Sequence, residues 1–167
     1  MGKKFLIFPF LAVAQVALAA SIQYVTIGVN GFTCSMCSRN VEMSIRKLDF
    51  VDSVVMDIDK TEGRVYAKSG ANYDLARIAR AVTDAGYSVR SMRIAIDLNG
   101  SSITTQGCFS IGQYNFQWIG MPAALPKGST ELIVIGDKFM PRKEFQSWQK
   151  KITQGCSDKS VNYVTAE

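Results

Sequence analysis

The sequence predicts an α+β protein in two units, behind a leader segment. Three observations carry this: an apolar N-terminal run that ends in small residues, a strand-helix-strand-strand-helix-strand pattern over residues 21–90, and a strand-rich remainder, 91–167, closed by one helix. An apolar fraction of 47% in 167 residues is enough to build packed cores and excludes a disordered chain.

Residues 1–20 read as a signal peptide. Lys3 and Lys4 precede the apolar run Phe5 to Ala14, and the small residues around Ala19 and Ala20 suit cleavage there. The run is short for a membrane span, no cysteine marks a lipid-attachment site, and no later segment is long and apolar enough to cross a bilayer. The expected location is therefore periplasmic or secreted, with no membrane insertion after cleavage. Of the 19 basic residues, 17 remain without Lys3 and Lys4, against 14 acidic ones, and they are spread along the chain. This gives a nucleic-acid or polybasic membrane role nothing to rest on. There is no histidine, so a metal site must use cysteine, methionine or carboxylate, and a histidine base is excluded.

Ile22 to Val29 is dense in β-branched residues and reads as a strand buried on both faces, ended by Asn30-Gly31. Cys37, Val41, Ile45 and Leu48 recur at steps of four, four and three, the stripe of a helix starting close to Cys37. Val51 to Asp59 alternates through Val54, Met56 and Ile58. The turn "KTEG" then leads into "RVYAK", completing a hairpin. Asn72 is the expected N-cap of a second helix with Leu75, Ile78, Ala79, Val82 and Ala85 on one face and Gly86 as its stop. Tyr87 to Arg90 opens a fourth strand. The order is that of a ferredoxin-like βαββαβ sandwich, two helices over one face of a four-stranded sheet.

Met92, Ile94, Ile96 and Leu98 alternate out of phase with Tyr87 and Val89, which marks a bulge or a boundary near Ser91. Strands are expected at Ile103 to Ile111, Gln113 to Ile119 and Thr130 to Ile135. A helix follows, with Pro141 in its first turn, Phe145, Trp148 and Ile152 as its apolar face, and Gly155 at its end. The second unit is a small β-rich α+β domain, OB-like among the alternatives, with Phe109, Tyr114, Phe116, Trp118, Phe145 and Trp148 as its expected core. Asn99-Gly100-Ser101 fits a glycosylation acceptor and, better, an ordinary turn.

The stretch "GFTCSMCSRN" carries the chemistry. Cys34 and Cys37 sit three apart before a helix, whose N-terminus favours thiolate, the form that binds soft metals and also attacks disulfides. Spacing alone leaves metal binding, dithiol redox chemistry and a simple disulfide open. A thioredoxin-type site needs a nearby proline loop, and between the leader and Pro122 there is no proline.

Gly31-Phe32-Thr33-Cys34-Ser35-Met36-Cys37, together with Asp84-Ala85-Gly86-Tyr87, resembles the heavy-metal-associated domain family, the modules of copper chaperones, metal-exporting ATPases and periplasmic mercury-binding proteins. The resemblance covers Ile22 to about Arg90. It implies a non-enzymatic carrier in which Cys34 and Cys37 ligate one soft ion, Cu(I) first and Hg(II) next, with Zn(II) or Cd(II) less often. It also implies a metal-donor or metal-acceptor partner, a transporter or another thiolate-bearing domain, and a place for Tyr87 near the site as a shield. Two thiolates suffice for near-linear Cu(I) or Hg(II) and leave room for a partner's thiolate. Phe32 stands where the family usually has methionine, which implies altered loop packing.

Met36 is a candidate third ligand, but a solvent-facing loop position is the preferred reading of it. Cys108 and Cys156, 48 positions apart, are expected to form a structural disulfide. Their functional alternative is a second soft-metal site with Met121 or Met140. Met43, Met56 and Met92 are expected in the core.

Overall fold

A computed structural model describes residues 21–31, 34–99, 101–124, 126, 128–153, 155–156 and 161–166. The leader 1–20 and Phe32 lie outside them. The elements in order are β1 (Ile22–Asn30), α1 (Ser35–Arg46), β2 (Val51–Asp57), β3 (Glu62–Ala67), α2 (Leu75–Asp84), β4 (Ser88–Asp97), β5 (Cys108–Ile111), β6 (Tyr114–Trp118), β7 (Ser129–Ile135), α3 (Arg142–Gln149) and β8 (Val161–Thr165). All eight strands form one sheet, ordered β2-β3-β1-β4-β7-β8-β6-β5. Among the described residues, only the β6–β8 pairing is parallel.

The first six elements make the ferredoxin-like α+β unit. β1 is central, and its residues 25–29 are buried, as β-branched density without polar alternation requires. Val41 and Ile45 of α1, and Ile78 and Val82 of α2, are fully buried in one cluster with Val25, Ile27, Val65 and Ile94 of the sheet. At about 25 cal/mol per Å² of apolar surface removed from water, each such side chain contributes roughly 1.5–3 kcal/mol relative to exposure. The Ser44 hydroxyl donates to Ala81 O at 2.7 Å and ties the helices together.

The phase shift near Ser91 is a bulge. Gly28 pairs with Ser91 and Val29 with Val89, so Arg90 is the extra residue, and Val89 and Met92 both point inward. The bulge turns Arg90 towards the β2–β3 turn, where its guanidinium donates to Lys60 O at 2.8 Å. β4 runs on to Asp97, so the limit expected at residue 90 falls inside a strand. Its second half pairs with β7, from Arg93↔Ile133 to Asp97↔Ser129. Phe109, Phe116, Trp118, Leu132, Val134 and Val164 join the cluster that α1 and α2 cover. Ile135 and Tyr163 face each other one step out of phase with Val134 and Val164, and they belong to a smaller cluster with Ile119, Met140, Phe145, Trp148 and Ile152. By strand alternation, α3 lies on the sheet face opposite α1 and α2.

Several expectations need correction. The sheet order is linear, with β2 and β5 at its edges, so the OB-like closed barrel is not what forms. The N-cap of α2 is Asp74, not Asn72: its extended backbone and carboxylate serve the Arg77 N–H at 2.9 Å. β2 ends at Asp57, and Ile58, expected inward, is exposed in the turn. Met92 is buried and Met56 packs on the core, but Met43 is exposed, because two residues from Val41 and Ile45 is the far side of a helix. β5 begins at Cys108, since Gly107 N–H closes a turn on Thr104 O at 2.9 Å. β8 is an additional strand. Ser101 N–H donates to Leu98 O at 3.0 Å, a turn at the Asn-Gly-Ser sequence, of which Gly100 lies outside the described residues.

Candidate metal centre

β1 delivers the chain to the site. Asn30 donates from Nδ2 to Ser88 Oγ at 3.4 Å, joining the end of β1 to the start of β4. Gly31 follows at φ +97°, a conformation that favours glycine, and a Cβ there would lie 3.7 Å from the Tyr87 ring. Tyr87 is half-buried against the core. It therefore lies beside the loop that carries the cysteine pair.

Cys34 is the N-cap of α1, with extended φ −136° and ψ 156°. The Cys37 N–H donates to Cys34 Sγ at 3.2 Å, so the sulfur takes the place usually held by a serine or aspartate oxygen. The helix thus starts two residues before Cys37, where the apolar stripe begins. The missed signal was local: a polarisable acceptor three residues ahead of a free N–H has the spacing of a cap. The first turn carries no acidic residue, so its partial positive charge is left for an anion, and a thiolate at Cys34 would be stabilised by it.

Cys34 and Cys37 have their Cα atoms 5.3 Å apart, and their sulfurs are bonded to each other. Cys34 is exposed and Cys37 is half-buried against the core, which gives the pair one fixed and one open member. Met36 is 77% exposed, in the first turn of α1. Among the described residues, no group of three or more Cys, Asp or Glu is assembled that could hold a metal ion. What the cysteine pair offers chemically is two sulfurs; with the bond reduced, they would be a soft, two-thiolate set of the kind that suits linear ligation.

The other cysteines are elsewhere. Cys108 and Cys156 are bonded, with Cα atoms 5.9 Å apart, at the start of β5 and past α3. Gln117 holds the same tail, donating from Nε2 to Thr153 O at 3.0 Å. Met121 packs on the main core and Met140 is buried under α3. Of the aromatic set, Phe109, Phe116 and Trp118 are buried, whereas Phe145 and Trp148 are half-buried.

The model of the heavy-metal-associated domain matches residues 26–88. The "Mercuric transport protein periplasmic component" of Pseudomonas fluorescens is 34% identical over 85 residues, 51% of this chain and 92% of that protein. The "Copper chaperone CopZ" of Staphylococcus haemolyticus (strain JCSC1435) is 35% identical over 69 residues, 38% of this chain and 93% of that protein. The "Copper-transporting ATPase 1" of Rhizobium meliloti (strain 1021) is 31% identical over 83 residues, half of this chain but only 10% of the ATPase. Among solved structures, oxidized MerP from Ralstonia metallidurans CH34 is 31% identical, covering 42% of this chain and 94% of that one, with a TM-score of 0.37. No helix among the described residues is long and apolar enough to cross a membrane. With near-complete coverage of relatives more than 30% identical, and a cysteine pair capping the first helix of the matched region, the chain belongs to the heavy-metal-associated domain family.

Proposed function

We propose that this protein is an exported carrier that binds one soft metal ion, Cu(I) by preference, between the Cys34 and Cys37 thiolates and passes it to a thiolate-bearing partner. The observation that carries the reading is the sulfur pair itself, held at the exposed N-terminus of α1 with Cys34 as the cap. An external dithiol, itself oxidised to a disulfide, would reduce the Cys34–Cys37 bond to two thiols, and metal binding would then release their protons. The half-exposed pair leaves one side free for an incoming thiolate, which permits exchange without a free ion. Relatives named for copper and for mercury support the class of metal and make Hg(II) the competing cargo. The likeness to part of a copper-transporting ATPase supports a transporter domain as partner. The leader 1–20 supports export, which mass measurement of the mature N-terminus would test.

Anaerobic titration with Cu(I) tests the reading. One ion per chain is expected in the reduced protein and none in Cys34→Ser. A second reading, a thiol-disulfide oxidoreductase, is favoured by the bonded state of the pair. Insulin reduction without tight Cu(I) or Hg(II) binding would establish it and overturn the carrier.

A further inference from the structure

Between α2 and the segment that leads from β7 into α3 lies a cleft of about 680 Å³, within the range of small-molecule sites. It exists because one flank of α2 is built from short side chains. Ala76, Ala79 and Thr83 follow at steps of three and four and line the cleft, so the segment 137–142 crosses opposite them without filling the gap. The floor is apolar and buried: Ala79 is 3% exposed, Val89 8% and Met140 4%.

The rim is cationic, with Arg77, Arg80, Lys138 and Arg142 against Asp74 and Asp137. Asp74 is occupied in capping α2, Arg77 is paired with Asp49 at 2.8 Å, and Arg80 lies 3.6 Å from Asp84. Lys138 and Arg142 form no ion pair with any described residue. With Asp137 the one rim carboxylate that these pairings leave over, the balance is one net positive charge above an apolar floor, which disfavours cations and gives a purely polar anion nothing to cover.

We propose that this cleft binds a small organic anion with an apolar body, its acidic group at the Lys138 and Arg142 rim and its body over Ala76, Ala79, Val89 and Met140. Six of the fourteen residues that line the cleft lie beyond the matched 26–88 region, so the site is not a part of that module alone.

Decanoate is the probe, titrated into the full chain below its micellar concentration and followed by calorimetry and amide NMR. The expected result is saturable one-to-one binding with shifts at Ala76, Val89 and Met140. Acetate and decyltrimethylammonium should not bind at the same concentrations. Ala76→Trp, which fills the cleft, and the pair Lys138→Glu with Arg142→Glu, which reverses the rim, should each weaken decanoate about tenfold or more. Lys138 and Arg142 are exposed and Ala76 is half-buried at the cleft wall, and unchanged melting would show that both variants are folded. Absence of decanoate binding, equal affinity in folded variants, acetate binding as tightly, or shifts confined to the exposed Met36, Val55 and Ile58 surface would each overturn the proposal. If either variant fails to fold, the shift map of the parent chain decides.

Discussion

The Tyr114 hydroxyl donates to the main-chain carbonyl of Tyr73, joining β6 to the segment that enters α2. Tyr73 in turn accepts from the Ala67 N–H at 3.1 Å and donates to Gln23 O at 3.0 Å, so β1, β3, α2 and β6 meet at two phenols. Tyr73→Phe leaves two backbone groups unserved and is expected to cost about 1–3 kcal/mol in urea unfolding. Tyr114→Phe leaves one and should cost less. Because one cluster spans both halves of the sheet, fluorescence and circular dichroism should report the same transition.

Alkaline pH should weaken the fold. Burial is the main cause holding the Tyr73 and Tyr114 hydroxyls above the ordinary tyrosine value of 10.0. Burial also raises Tyr24, with Glu131 adding to the effect. Above that value the unfolded chain gives up these protons while the folded chain keeps them. The folded state then binds more protons, and stability falls as pH rises. The urea midpoint is expected to be flat between about pH 8 and pH 9 and to fall above about pH 10. A midpoint that rose there would contradict the assignment.

The bond between Cys108 and Cys156 closes a loop over a sequence separation of 48, which on the chain-entropy model stabilises by about 4 kcal/mol. Cys108→Ser with Cys156→Ser should lower guanidinium stability by an amount of this order, and thiol counting on the untreated protein should find neither sulfur free. Cys34→Ser, which opens a loop with a separation of only 3, should cost far less stability while abolishing metal uptake.

Two glycines separate conformational strain from steric collision. Gly107 has φ +77°, and a Cβ there would lie 2.5 Å from the Trp118 carbonyl oxygen. Gly112 has φ +56° with open space around it. Gly112→Ala should therefore cost about 1 kcal/mol, the left-handed penalty alone, and Gly107→Ala distinctly more, measured as loss of melting temperature.

The sequence made legible whatever rests on short-range pattern. The stripe Cys37, Val41, Ile45 and Leu48 does face the core, and Gly86 does follow the end of α2. The sequence pointed to Asn72 as the cap, whereas Asp74 caps α2; both side chains can accept a first-turn N–H, so residue type alone does not separate them. The choice fell to Tyr73, whose buried ring fixes the residues before the helix. The out-of-phase alternation around Ser91 was visible, but a bulge and a boundary leave the same trace in one strand, and only the partner register distinguishes them. The cysteine pair is a contiguous motif and could be read directly. The cleft could not, since its walls come from α2 and from residues 137–142, more than fifty positions apart.

β8, Val161–Thr165, is inserted between β7 and β6, and the β5–β6 hairpin reaches the rest of the sheet only through it. The hairpin's backbone pairing with the sheet must therefore wait for a strand made some forty residues later, and until then β6 and β7 each present an open edge. A nascent or stalled chain lacking those five residues would have a closed metal module and a sticky, half-zipped sheet. β8 thus governs how long those two edges stay open during synthesis, as well as how the sheet is shaped.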